Sequence, residues 1–98
     1  MTSRVEIENK LKSIEAELRE QFSVNKIALF GSYANNTNSP SSDIDLLVEF
    51  NKPIGWKFLT LNIMLENLFN RKVDLVTDYA LRPELKNDVY SNLKYILN

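Results

Sequence analysis

Apolar residues return along the first part of the chain at intervals of four, three and four: Ile7, Leu11, Ile14 and Leu18. That spacing lines one face of an α-helix and predicts a helix over residues 3–21. Ser3, with Glu6 three residues on, has the spacing of a capping box at its start. Glu8, Lys12, Glu15 and Arg19 occupy the opposite face, where their i,i+4 and i,i+3 relations suit a solvated surface. The period then changes. VNKIALF at 24–30 predicts a short strand ending at Gly31, followed by a short helical turn over 32–36. NTNSPSS, with Pro40, is loop by its turn composition. Residues 43–50 predict a second strand. NKPIG then leads into a second amphipathic helix over 56–69, with Phe58, Leu61, Leu65 and Leu68 on one face. Trp56 and Phe58 are expected to open that helix and pack in the core, the other reading being an exposed aromatic contact for a partner. VDLVT at 73–77 is a third, very apolar strand, and Arg82-Pro83-Glu84 has the form of a helix start. Leu85, Val89, Leu93 and Ile96 or Leu97 continue that last helical stripe to the C-terminus. The order α-β-α-β-α-β-α describes an α/β chain with a small sheet flanked by helices. With no repeat, low-complexity segment or linker, a single domain over 1–98 is expected.

Composition narrows the chemistry. The 98 residues are 44% hydrophobic and 26% charged, with a formal net charge of −1. Such a balance argues against a dedicated nucleic-acid binder, whose affinity comes largely from Lys and Arg on phosphates. It leaves room for a small phosphate-bearing ligand neutralised by metal ions. Cysteine and histidine are both absent, which removes thiolate chemistry, imidazole acid/base catalysis and His-ligated zinc. A metal here would be bound by oxygen, favouring Mg²⁺, Mn²⁺ or Ca²⁺. MTSRVEIENK lacks the apolar core of a signal peptide and no stretch reaches transmembrane length, so a cytoplasmic protein is expected.

The chemistry-bearing stretch is LFGSYANNTNSPSSDIDLLVEF at 29–50. Strand side chains alternate faces, so Asp43 and Asp45 are expected on one face while Ile44, Leu46 and Val48 point the other way. Two like charges that close raise a pKa unless a cation compensates, and no Lys or Arg lies between residues 27 and 51. A divalent ion is the natural compensator. A plainer reading makes Asp43 the end of the SPSSD loop and Asp45 an edge-strand charge. Asp74, inside VDLVT, is either another edge-strand charge that discourages aggregation or, if the two strands are neighbours, the third member of a carboxylate cluster. Three such carboxylates can hold two Mg²⁺ ions roughly 4 Å apart for in-line phosphoryl or nucleotidyl transfer. Gly31-Ser32 is either an ordinary turn or the phosphate end of that site.

At these residues the sequence resembles the minimal nucleotidyltransferases of the DNA polymerase beta-like superfamily. LFGS is followed by ten residues and then Asp43-Ile44-Asp45, and FGSYA, SDIDLLVEF, RKVDLVT and LRPEL stand in the family's order. The resemblance implies the nucleotidyltransferase fold, α/β with a small mixed sheet of three to four strands. It implies that Gly31 and Ser32 hold the β- and γ-phosphates of a nucleoside triphosphate, and that Asp43, Asp45 and Asp74 ligate two Mg²⁺ ions, with Mn²⁺ as an alternative. Asp74 would also assist deprotonation of the acceptor hydroxyl, and pyrophosphate would leave. Small chains of this type resemble antitoxins partnered by a helical HEPN-domain toxin, which they modify with AMP from ATP. At 98 residues, a separate partner is expected to complete the acceptor site. Other readings are an antitoxin with weak or no catalysis that occludes its partner, and transfer to a small-molecule hydroxyl such as an antibiotic. The first is prompted by Asn35-Asn36, which stand where the family commonly has Arg-Gly. Asn36 can take a left-handed conformation in place of glycine. The cation pair Arg71-Lys72 is expected to be a solvated surface pair. Tyr79, Arg82 and Tyr90 are left open as contacts to a base or a partner, and homo-oligomers are left open too.

Overall fold

The computed structural model describes residues 3–39, 41–81 and 83–98, the side chains of Leu85 and Asp88 excepted. Pro40 and Arg82, which figured in the sequence reading, therefore lie outside the described residues. The apolar stripe at the start folds as two helices, α1 (Arg4–Ser13) and α2 (Glu15–Phe22), rather than as the single helix its spacing predicts. The break falls at Ile14, where the backbone leaves helical geometry. Just before it, the Ser13 hydroxyl donates to the Lys10 carbonyl at 2.6 Å. Hydroxyls bonding back to the preceding turn bend helices. The stripe itself survives: Ile7, Leu11 and Leu18 are fully buried. Ser3 caps α1 by accepting from the Glu6 amide at 3.2 Å. On the outer face, Glu15 meets Arg19 at 2.8 Å and Arg4 meets Glu8 at 3.9 Å.

Strand β1 (Val24–Phe30) follows, then the one-turn helix α3 (Gly31–Ala34) and strand β2 (Ile44–Phe50). Helix α4 (Lys57–Phe69) leads to β3 (Val73–Thr77), a 3-10 turn at Asp78–Ala80, α5 (Pro83–Ser91) and β4 (Lys94–Leu97). The sheet is mixed, ordered β3-β2-β1-β4. β1 runs antiparallel to β2 and β4, and β2 runs parallel to β3. Parallel neighbours need a crossover connection, which α4 supplies.

β4 corrects the expectation that the last helix reaches the C-terminus. Residues 94–97 pair with Ile27–Leu29 of β1 and bury Ile96 and Leu97. A short apolar run fits helix and strand templates about equally. Here the long, apolar β1 would otherwise be a sheet edge, and pairing decides the outcome. Trp56 also departs from expectation: it is 85% exposed, whereas Phe58 packs edge-on against Phe50 with centroids 6.2 Å apart.

One face of the sheet is the core. Ile27, Leu29, Ile44, Leu46 and Val48 meet Ile7, Leu11, Leu18, Leu61 and Leu65, all fully buried. That burial fixes the register of β2, because a slip of one residue would send Ile44, Leu46 and Val48 to the other face. The same register therefore sends Asp45 away from the helices. Among the described residues, no helix is long and apolar enough to cross a membrane.

Candidate active site

Asp45 and Asp74 are direct partners in the parallel pairing of β2 with β3. Adjacent strands lie about 4.8 Å apart, so their carboxyls leave the same face side by side. Asp45 also faces Phe30 across the antiparallel pairing with β1. Its environment opposes ionisation: burial, then the charges of Asp74 and Asp43, and a hydrogen bond with the Asp74 carboxyl push its pKa up to about 6. Asp74 is exposed at the edge strand.

Gly31 closes the other side. Its φ is +73°, a conformation L side chains rarely adopt. A Cβ built there would meet the Asp45 carboxylate, 3.0 Å from Cγ. The glycine thus satisfies both a left-handed backbone and a close approach. Ser32 follows in α3, and Thr37 N–H donates to its carbonyl at 2.9 Å. Asn36 is left-handed, φ 58°, as expected, and Asn35 is exposed. A recess of about 240 Å³, lined by Phe30, Gly31, Asn35, Val89 and Asn92, opens beside this turn. A larger, mostly apolar cavity of about 540 Å³ lies at the opposite ends of β2 and β3, between Phe50, Phe58, Leu75 and Tyr79. No carboxylate is among its described lining residues, and it stands apart from the Asp45–Asp74 chemistry.

Asp43 sits just before β2, and its carboxylate points toward Lys72 Nζ at 3.9 Å. Among the described residues, no three carboxylates stand close enough together to hold a metal ion. The structure thus brings Asp45 and Asp74 together and leaves Asp43 at the rim, near enough for its charge to act on Asp45. The donors still suit an oxygen-seeking cation: a crowded carboxyl pair with like charges, half-buried at Asp45, is relieved by a divalent ion.

The expectation of a solvated Arg71-Lys72 pair fails at Arg71. Far from being a solvated partner of Lys72, it is half-buried and donates from Nη1 to Tyr33 Oη at 2.7 Å and to the Ser42 carbonyl at 2.8 Å. Lys72 does conform, being 73% exposed.

A family model described as "Nucleotidyltransferase domain" matches residues 11–96. The protein adenylyltransferase MntA of Thermococcus cleftensis is 37% identical over 97 residues, covering 98% of each chain. The Methanocaldococcus jannaschii protein MJ0126 is 38% identical over 98 residues, covering 98% of this chain and all of that one. Among solved structures, a toxin-antitoxin complex crystallised with AMP-PNP superposes with a TM-score of 0.76 at 28% identity, over 93% of this chain and 73% of that one. With an end-to-end match of sequence and fold, and a glycine turn seated against a strand-borne carboxylate pair, this chain belongs to the nucleotidyltransferase family and is a nucleotidyltransferase enzyme.

Proposed function

We propose that the chain transfers AMP from ATP to a hydroxyl of a protein partner, and that the partner is a helical HEPN-domain toxin which this chain, as antitoxin, modifies. The in-register pair Asp45–Asp74 against Gly31 carries the reading. The name of the Thermococcus cleftensis relative, a protein adenylyltransferase, and the AMP-PNP in the toxin-antitoxin neighbour support the choice of ATP and of a protein acceptor.

Asp45 and Asp74, with Asp43 completing the set from the rim, are the residues that would hold Mg²⁺ or Mn²⁺. Such ions supply neutralisation of the triphosphate and of charge developing on the attacking and leaving oxygens. Gly31 lets the backbone approach the β- and γ-phosphates, and Ser32 adds its hydroxyl. Asp74, the more exposed of the pair, takes the proton of the acceptor hydroxyl. That oxygen then bonds to the α-phosphorus as the bond to the bridging oxygen breaks and pyrophosphate departs. Histidine is not required at any step, in keeping with its absence from the chain.

Labelled ATP, Mg²⁺ and the protein encoded beside this one provide the test. Label is expected on the neighbour with the native chain and not with Asp45→Ala or Asp43→Ala. Equal transfer by Asp43→Ala, or none by the native chain, would overturn the proposal.

A further inference from the structure

The site is assembled from three separate pieces of chain: the Gly31 turn, the start of β2, and the start of β3. Something must hold them in mutual register, because reacting groups displaced by about 1 Å can cost about a hundredfold in rate. Backbone pairing joins β2 to β3, where the Ile44 amide donates to the Lys72 carbonyl at 3.1 Å. Pairing of β1 with β2 carries the chain as far as Phe30, opposite Asp45. Ser32 and Tyr33 lie beyond it in the single turn α3, where a further tie fixes the turn.

Arg71 makes that tie. Its backbone is anchored to the end of α4: its own amide donates to the Glu66 carbonyl at 3.3 Å. Two residues on, the Val73 amide donates to Glu66 Oε2 at 3.1 Å. From that fixed base, one guanidinium nitrogen directs a bond to Tyr33 Oη and a second to the Ser42 carbonyl. Tyr33 is the residue after Ser32 and is 1% exposed; a buried phenol oxygen needs such a partner. Ser42 immediately precedes Asp43, and Arg71 itself lies three residues before Asp74. Nη1 of a guanidinium, planar and permanently charged, holds its two N–H bonds in fixed directions, which suits a double tie better than a flexible ammonium.

We propose that Arg71 is a positioning residue for nucleotidyl transfer, tying the Gly31-Ser32 turn to the two aspartate strands through Tyr33 and Ser42. The proposal rests on the nucleotidyltransferase reading above. It does not require Arg71 to touch the nucleotide.

The test compares native protein, Arg71→Met, Arg71→Lys and Tyr33→Phe by labelled-ATP transfer and by amide hydrogen exchange. Arg71→Met is expected to lower kcat by about 10- to 100-fold while the KM for ATP moves by less than about threefold. The amides of Ile44 and Thr37 are expected to exchange about tenfold faster. Tyr33→Phe, which keeps the ring and deletes the acceptor, should reproduce part of both effects, and it substitutes for Arg71→Met should that variant fail to fold. Native kcat in Arg71→Met or complete rescue by Arg71→Lys would overturn the proposal, as would a rise in KM alone, which would make Arg71 a nucleotide contact. Were the native protein to transfer no label, the transfer reading would fail by itself. The exchange arm would still decide Arg71, with unchanged Ile44 and Thr37 protection rejecting the tie.

Discussion

Gly31 lies against the carboxylate of Asp45. A Cβ there would stand 3.0 Å from Asp45 Cγ and 3.3 Å from its Cβ, with Oδ2 nearer still. The phosphate end and the metal end of the proposed site are thus one contact, in which the missing side chain of one residue makes room for the charge of the other. Because Gly31 is also left-handed, two independent constraints disfavour a side chain here.

Gly31→Ala should therefore cost about 1–2 kcal/mol from backbone conformation alone, with a further loss from displacing Asp45. Urea unfolding of Gly31→Ala, Asp45→Gly and the double variant separates the two. The alanine should be less costly in the Asp45→Gly background. Equal cost in both would show that the contact contributes nothing and only φ matters.

Asp45 makes the metal-free protein sensitive to acid in an unusual direction. Its folded pKa, about 6, lies above the ordinary carboxylate value of 3.8. The folded state holds the proton more tightly than the unfolded chain, so this group's contribution is fully present below about pH 4 and is lost as pH rises through 6. In EDTA, Asp45→Asn should flatten that fall and exceed the native protein in stability at pH 7. Urea midpoints from pH 4 to 8, native minus variant, give the result, and parallel curves would refute it. Mg²⁺ at pH 7 should raise the native midpoint more than that of Asp45→Asn, since a ligand of the folded state alone stabilises it by mass action.

Much of this arrangement was legible along the chain, and the gaps have physical causes. Periodicity placed Ile7, Leu11 and Leu18 in the core and Asp45 opposite Ile44 and Leu46, because burial on one face dictates both. It could not say that β3 is the neighbour of β2, so the Asp45–Asp74 pairing hung on a condition that the topology meets. β4 escaped because four residues carry too little period to distinguish Lys94–Leu97 from a helix end. Arg71 escaped because its partners, Tyr33 and Ser42, are 38 and 29 residues away, and one is a main-chain carbonyl with no side-chain signature.

Trp56, the only tryptophan, precedes α4 and is 85% exposed. Its indole should be quenched by iodide almost as efficiently in the folded protein as in urea. Trp56→Ala should change unfolding free energy by no more than about 0.5 kcal/mol, as surface substitutions do. A loss of 2 kcal/mol or more would place the ring in the core after all.

Lys72 competes with any cation for Asp43. The pair is long, 3.9 Å, and both side chains are solvated, 73% and 48% exposed; such pairs contribute about 0–1 kcal/mol. Lys72→Met should therefore leave stability nearly unchanged and free Asp43 to turn toward Asp45 and Asp74. Mn²⁺ affinity, followed by water-proton relaxation in the presence of a non-hydrolysable ATP analogue, should tighten, by at most about fivefold given the ~1 kcal/mol ceiling on the pair. Weaker Mn²⁺ and nucleotide binding would reverse the assignment and make Lys72 a phosphate contact. The ammonium would then be drawn to the triphosphate rather than to Asp43.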